Sequence, residues 1–198
     1  MQHKLPNHLA EMVICANFVR KTRRSIRMKR FFKIVVILFS SFATLSCLED
    51  ANDIIEDVVK VGDRLPDFEV EMNDGTTVTG AQLRTTTSVV VFFYTPCPDC
   101  QKLLPCVQQV YDKYTSQGVA FALISRAEGA ETIERYWQEH GFTMPYSAQE
   151  DRVIYELFAK VRVPRVYIST KEGTVNRIFT DNPVPTVEEL EAAIEQLL

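Results

Sequence analysis

Cysteine and histidine are scarce in this chain, which holds five Cys and three His among 198 residues. Only Cys97, Cys100 and Cys106 lie beyond the N-terminal segment. Three cysteines do not form a structural disulfide framework. A domain of about 140 residues can build its own hydrophobic core without such cross-links. The sequence has no internal repeat and no low-complexity tract, so it predicts one folded domain preceded by a leader.

Long apolar runs are also missing. The run over residues 34–42 is much shorter than the ~20 residues needed to cross a bilayer. It follows a basic stretch, 28–33, and ends shortly before Cys47, which is the layout of a secretory signal. Because such signals begin at a methionine just before the basic residues, we interpret residues 1–27 as a gene-model extension upstream of the true start.

Basic residues become rare after this leader. From residue 48 onward there are 13 Lys/Arg against 25 Asp/Glu, a formal net charge of −12. A chain of this balance has no broad basic surface for nucleic acid. We therefore expect no nucleic-acid partner.

The segment Ala43-Thr44-Leu45-Ser46-Cys47 resembles the end of a bacterial lipoprotein signal, whose cysteine is lipidated after cleavage. The resemblance implies a signal peptide over 28–46, a lipidated Cys47 and an acidic tether over 47–60. It implies a location in the cell envelope, anchored in a membrane and facing the periplasm or the cell surface. A plain secretory peptide and an uncleaved anchor are the alternatives.

The rest of the chain alternates between strand and helix patterns. Alternating or continuous apolar residues predict strands over 68–72, 76–79, 88–94, 119–124, 166–169 and 175–179. Three- and four-residue spacings predict helices over 97–114, 131–140 and 151–160, and a last helix capped by Thr186. This order predicts an α/β fold, with a mixed sheet and helices on both faces.

Cys97 and Cys100 stand three residues apart, between the strand at 88–94 and the helix at 97–114. The first N–H groups of a helix lack partners and lie at the positive end of its dipole, so they stabilise a thiolate at Cys97. Cys100, one turn further on, is shielded. This arrangement predicts thiol–disulfide exchange, with Cys97 as the nucleophile and Cys100 as the resolving thiol. Pro98 suits the first helical turn.

Four features in chain order carry a family resemblance. They are Val61-Gly62-Asp63 with Pro66-Asp67-Phe68, the run Val89-Val90-Val91-Phe92-Phe93 before the dithiol, Pro105 five residues after Cys100, and Val161-Arg162-Val163-Pro164 before Val166. Residues 61–198 thereby resemble the thioredoxin-like domain of TlpA-like and ResA-like oxidoreductases, which are redoxins of the AhpC/TSA type. The resemblance implies a thioredoxin-like sheet with an extra N-terminal β-hairpin and a central helical insert.

The resemblance also implies roles for residues outside the dithiol. Pro164 would be a cis-proline facing the sulfurs, and Val163 would offer its backbone to an extended substrate. An ordinary proline at the start of a strand is the alternative. Pro96, Pro98 and Asp99 would form the rim of the substrate site. The implied partners are protein thiol or disulfide substrates and an upstream redox partner, and no cofactor is implied.

Two departures from the family pattern concern proton transfer. Thioredoxins place a buried acid six residues before the first cysteine, where this chain has Val91. ResA-like proteins have an acid three residues after the second cysteine, where this chain has Leu103. The candidates for the proton acceptor of Cys100 are therefore Asp99 and water.

Asp99 also bears on the direction of exchange. A carboxylate near Cys97 opposes formation of the thiolate, and a less stable thiolate makes the couple less oxidising. We therefore expect a reductant or general exchanger rather than a strong oxidant. Arg165 would offset this effect if it faced the site.

Other prominent residues are interpreted as core. Cys106 follows six residues after Cys100, about 240° further round the helix, so it is expected to point away from the pair. Beside Pro105, which should kink the helix, it is interpreted as a buried packing residue. Trp137 is likewise assigned to the core.

Further functions remain open, and one is a redox-inactive binding module on the same fold. A copper or zinc carrier could use the C-x-x-C pair, but Cys106 and His140 are the only other candidate ligands, and we assign no metal site. A thiol peroxidase is less favoured. Such enzymes place threonine or serine three residues before the reactive cysteine and proline seven before, and for Cys97 these positions hold Tyr94 and Val90.

Overall fold

A computed structural model describes residues 57–198. The interpreted extension over 1–27, the predicted signal peptide, the predicted lipidation site Cys47 and most of the acidic tether lie outside the described residues. Within 57–198, no helix combines the length and the apolar character that crossing a membrane would require.

Seven strands and five α-helices make up this part of the chain. The strands are β1 (Glu69–Glu71), β2 (Thr77–Thr79), β3 (Ser88–Phe93), β4 (Ala120–Ser125), β5 (Tyr146–Ser147), β6 (Arg165–Ser169) and β7 (Val175–Phe179). The helices are α1 (Gly80–Leu83), α2 (Pro98–Tyr114), α3 (Ala130–His140), α4 (Val153–Glu156) and α5 (Val187–Glu195), and a short 3₁₀ turn (Thr115–Gln117) follows α2.

Five of the strands form one mixed sheet in the order β5-β4-β3-β6-β7. β3 and β4 are parallel, as are β4 and β5, whereas β6 and β7 run antiparallel to their neighbours. β1 and β2 form a separate antiparallel hairpin through a turn at Gly75, where φ is +81°. The predicted mixed sheet, N-terminal hairpin and central helical insert, α3, are confirmed.

β3 occupies the centre of the sheet, and all six of its side chains are buried. Its two phenylalanines face opposite layers. Phe92 packs against Tyr155 of α4 with ring centroids 5.4 Å apart, and Phe93 packs against Trp137 of α3 at 5.0 Å. Helices therefore cover both faces of the sheet, and the assignment of Trp137 to the core is confirmed. This double burial explains why β3 is an uninterrupted apolar run.

Local chemistry accounts for where the helical segments end. Gly118 and Gly141 take left-handed conformations, with φ of 86° and 66°, and terminate the segments before them. Thr186 forms a capping box with Glu189 at the start of α5. Helix α2 continues through Pro105 to Tyr114.

The predicted helix over 151–160 is wrong in length, because only the single turn Val153–Glu156 is helical. The residues after this turn form backbone hydrogen bonds with a distant part of the chain. The Phe158 carbonyl accepts hydrogen bonds from the N–H groups of Val58 and Val59, both at 3.0 Å. Ala159 forms an isolated antiparallel bridge with Asp57. These long-range bonds draw the backbone out of the helical path.

Candidate active site

The topology brings three chain segments to one edge of the sheet. β3 and β4 are parallel, and Phe93 pairs with Ser125, so the residues that follow both strands emerge side by side. β6 is antiparallel to β3 and begins at Arg165, which pairs with Phe92. The segment before β6 therefore lies next to the end of β3. All of the candidate site residues come from these three segments.

Cys97 is the N-cap residue of α2, in an extended conformation with φ −77° and ψ 121°. Its N–H donates to the Tyr94 carbonyl at 2.9 Å, and its own carbonyl accepts from the Gln101 N–H at 3.0 Å. Pro98 is at the first helical position, where its missing N–H breaks no hydrogen bond. The Cys97 thiol is half-buried, so it is reachable from solvent at the positive end of the helix.

Cys100 is fully buried one turn into α2. Its sulfur accepts a hydrogen bond from the Tyr94 N–H at 3.4 Å. Burial is the main cause that raises the pKa of the Cys100 thiol well above its ordinary value, and the neighbouring Cys97 raises it further. The Tyr94 N–H and the charge of Arg126 act in the opposite direction. The two thiols of the pair are therefore chemically unlike each other.

The Val163–Pro164 segment lies against Cys97. The Cys97 thiol donates to the Val163 carbonyl at 3.5 Å, across 66 positions of sequence. The Val163–Pro164 peptide bond is cis, and both residues are buried. Arg162 just before them has a φ of +69°, a region that non-glycine residues rarely enter. The structure thus brings together the residues that the sequence singled out, although they come from different elements.

The rim of the site carries less charge than the sequence indicated. Pro96 and Pro98 are exposed on either side of Cys97. Asp99 pairs with Lys102 at 2.7 Å in the first turn of α2, which offsets its charge and raises the pKa of Lys102.

Arg165 does not serve the dithiol. Its side chain is 1% exposed, is paired with Asp57, and donates to the Val161 carbonyl at 3.0 Å. It lies on the Phe92 side of the sheet with Tyr155 and Tyr167, because residues 165 and 167 of a strand share a face. The suggestion that Arg165 offsets Asp99 is therefore wrong.

Cys106 stands apart from the pair. Its thiol donates to the Lys102 carbonyl at 3.6 Å, within its own helix, and it is half-buried rather than buried as predicted. Burial raises the pKa of this thiol, and Glu188 of α5 raises it further. Within residues 57–198, no three His, Cys, Asp or Glu side chains are grouped closely enough to hold a metal ion.

One site residue was not found from the sequence. Glu128, after β4, is 7% exposed, and both of its carboxylate oxygens accept hydrogen bonds from Thr95. Thr95 is two residues before Cys97 and is itself 4% exposed. The available signal was topological: an acid just after the second central strand lies beside the residues that follow the first, because parallel strands end at the same edge.

Comparison with solved structures defines the fold. A thiol:disulfide interchange protein of the thioredoxin family from Chlorobium tepidum superposes with a TM-score of 0.60 at 19% identity, covering 70% of this chain and 97% of that one. The thioredoxin domain of a thiol-disulfide oxidoreductase from Bacteroides vulgatus gives 0.60 at 18% identity, covering 70% and 97%. The fold is therefore that of thioredoxin.

Sequence comparison gives the family. Residues 61–178 match the AhpC/TSA family, so the chain belongs to that family. The thiol-disulfide oxidoreductase ResA of Oceanobacillus iheyensis is 25% identical over 167 residues, which cover 82% of this chain and 84% of ResA. The ResA of Geobacillus thermodenitrificans is 24% identical over 172 residues, covering 86% and 98%. The chain is an oxidoreductase of the thioredoxin type.

Proposed function

We propose that this protein exchanges disulfides with protein substrates through Cys97 and Cys100. The observation that carries the proposal is the contrast between the two thiols. Cys97 is half-exposed at a helix N-terminus beside Val163, whereas Cys100 is buried beneath it with a raised pKa. An exposed thiol can attack a partner, and a buried one can act only on the bond that its neighbour has formed.

The exchange takes place in two steps. The Cys97 thiolate attacks one sulfur of the substrate disulfide, so that a mixed disulfide forms and the other substrate sulfur leaves as a thiolate. The Cys100 thiol then loses its proton to water, and the thiolate that results attacks the Cys97 sulfur. This step closes the Cys97–Cys100 disulfide and releases the second substrate sulfur. The substrate gains two electrons and the protein loses two, which an upstream dithiol partner restores by the same exchange.

The substrate lies as an extended segment along Val163 and Pro164. The Val163 carbonyl is already within 3.5 Å of the Cys97 sulfur, so a chain bonded there has its own sulfur next to the nucleophile. Pro96, Pro98 and Asp99 surround Cys97 on the open side. An extended backbone is the ligand that such an edge accepts, through main-chain hydrogen bonds.

The direction of exchange is reducing rather than strongly oxidising. A strong oxidant requires a much stabilised Cys97 thiolate. Two basic residues that could provide it have carboxylate partners, since Arg165 is bound by Asp57 on the Phe92 side of the sheet and Lys102, whose charge also acts on Cys97, is paired with Asp99. The N-terminus of α2 adds a stabilising effect that is modest.

The protein acts outside the cytoplasm, anchored by lipid at Cys47. The support for this part is the signal layout over 28–46 and the acidic tether after it. Metabolic labelling with a palmitate analogue in a bacterial host should mark the full chain and not a Cys47→Ser variant. Equal labelling of both would overturn the anchor but leave the exchange chemistry intact.

Trapping tests the exchange chemistry. A Cys100→Ser variant lacks the resolving thiol, so it should retain protein substrates as mixed disulfides on Cys97 that dithiothreitol releases. The matched control, Cys97→Ser with Cys100→Ser, should retain none. If the control traps as much as the single variant, or if Cys106 carries the adducts by mass spectrometry, Cys97 is not the attacking thiol.

A further inference from the structure

The loop that carries Cys97 is hydrogen-bonded to the buried carboxylate of Glu128. The Thr95 N–H donates to Glu128 Oε2 at 2.8 Å, and the Thr95 hydroxyl donates to Oε1. Glu128 and Thr95 are 7% and 4% exposed. Two parallel hydrogen bonds to one side chain add geometric specificity, so they restrain both the backbone and the side chain of Thr95.

Thr95 is also bonded to the helix that begins at Cys97. Its carbonyl accepts from Gln101 Nε2 at 2.9 Å, while the Cys97 N–H reaches back to the Tyr94 carbonyl at 2.9 Å. The path from the end of β3 to the nucleophile is therefore a tight turn that is fixed at its middle residue. A displacement of Thr95 would move the sulfur of Cys97 away from Val163.

Glu128 is in turn anchored by backbone bonds. Its N–H donates to the Gln149 carbonyl at 2.6 Å, and its carbonyl accepts from the Ser125 hydroxyl at 3.1 Å. The same hydroxyl accepts from the Gln149 N–H at 2.7 Å. Ser125 is the last residue of β4. The backbone of Glu128 is therefore bonded both to the end of this strand and to Gln149, and these bonds fix the position from which its carboxylate extends.

We infer that Glu128 is a positioning residue for the exchange reaction, acting on Cys97 through Thr95. It holds the nucleophile at the helix N-terminus and within reach of the substrate edge. The inference rests on the proposed role of Cys97 as attacking thiol. The role needs two hydrogen-bond partners at position 128 and does not need a negative charge there.

Four variants distinguish the effect of the Thr95–Glu128 hydrogen bonds from the effect of the charge of Glu128. Glu128→Met keeps the length of the side chain and removes both bonds, and Thr95→Val removes only the bond from the hydroxyl. Glu128→Gln removes the charge but can keep two bonds, since its amide oxygen accepts from the Thr95 N–H and its amide nitrogen donates to the Thr95 hydroxyl. Thr95→Ser keeps both donors. The readout is the rate at which Cys97 reacts with 5,5′-dithiobis(2-nitrobenzoate) at pH 7, in a background where the other four cysteines, Cys15, Cys47, Cys100 and Cys106, are serine.

Glu128→Met should slow the reaction about tenfold and Thr95→Val about threefold, because small displacements of a reacting atom are costly. Glu128→Gln and Thr95→Ser should recover at least half of the parent rate. The matched control is Glu195→Met, which removes a hydroxyl–carboxylate bond of 2.6 Å from Tyr114 at the far end of α2. It should leave the rate within twofold, whatever it does to stability.

All rates are measured at a temperature where circular dichroism shows each variant to be folded. The inference is overturned if folded Glu128→Met and Thr95→Val both react at the parent rate. It is also overturned if Glu128→Gln is as slow as Glu128→Met, which would show that the charge is what matters. Failure of the proposed function looks different, because Cys97 in the parent background would then be unreactive.

Discussion

The two ends of helix α2 are held by the same kind of bond and serve different purposes. At the start, the Thr95 hydroxyl bonds the buried Glu128, and the cysteines follow within two to five residues. At the end, the Tyr114 hydroxyl bonds Glu195 of α5 at 2.6 Å, and Lys113 pairs with Glu191 at 2.9 Å. One end presents the proposed attacking thiol, and the other joins two helices.

The difference between these ends lies in their surroundings. Glu128 is buried at the sheet edge where β3, β4 and β6 meet, whereas the far end of α2 packs on the C-terminal helix and, through Tyr111, on Phe121 of β4. A hydrogen bond at the first end restrains the loop of the proposed nucleophile, whereas a bond at the second restrains the packing of two helices.

The largest effect is expected at the first end. Cys97→Ser should lower disulfide exchange by more than about a hundredfold, because the nucleophile is lost. Cys106→Ser removes a thiol of the same helix and should leave exchange within about twofold, since that residue bonds only within α2. Reduction of insulin disulfides, followed by turbidity, measures both. A comparable loss in the two variants would remove the distinction between the pair and the third cysteine.

The next effect concerns pH. The raised pKa of Cys100 means that its thiolate is a minor species at neutral pH, and below the pKa the thiolate fraction grows about tenfold per pH unit. Resolution of a mixed disulfide on Cys97 should therefore accelerate with pH from 6 to 9 and reach no plateau. Stopped-flow release of thionitrobenzoate from that mixed disulfide measures the rate. A plateau below pH 8 would mean that Cys100 ionises readily and that burial does not control it.

A smaller effect is expected at the second end. Tyr114→Phe removes the hydroxyl and keeps the buried ring, so the free energy of unfolding should fall by about 1 kcal/mol. Exchange by the folded protein should not change. Urea unfolding and the insulin assay, run on the same preparation, compare the two quantities. Slower exchange at unchanged stability would show that the two ends are coupled.

The smallest effect is expected at Asp99. Removal of its charge in Asp99→Asn should make the couple slightly more oxidising, by less than about 20 mV, because an exposed ion pair contributes little. Lys102→Gln should shift the potential by a similar amount in the opposite direction, since it leaves Asp99 without its cation. Equilibration with glutathione buffers gives both potentials. Shifts of the same sign would show that charge at this rim does not set the potential.

Much of the fold could be predicted because its signals are local. β3 was recognisable as a run of buried apolar residues, and Thr186, Gly118 and Gly141 mark helix ends by their own chemistry. The helix over 151–160 was predicted too long for the opposite reason. Its periodicity is sound, but the bonds from Val58 and Val59 to Phe158 come from residues about a hundred positions earlier.

The dithiol was predictable for the same reason as the fold. Cys97 and Cys100 are adjacent in sequence to the strand and helix that position them, and the family resemblance directed attention to Val163 and Pro164. Glu128 was missed because nothing near it in sequence is reactive. The sequence shows the charges of Asp99 and Arg165 but not their ion-pair partners. Lys102 and Asp57 are these partners in the structure, and they limit how far either charge acts on Cys97.

The amino-acid sequence alone determined that the thiol pair lies at the start of a helix, because strand, turn and helix propensities depend on neighbouring residues. Only the tertiary structure decided how the two thiols differ, which charges reach them and what holds their loop in place. Burial, ion pairing and hydrogen bonds across 33 or 66 positions depend on which strands lie side by side. That arrangement is a property of the folded sheet and not of any one segment.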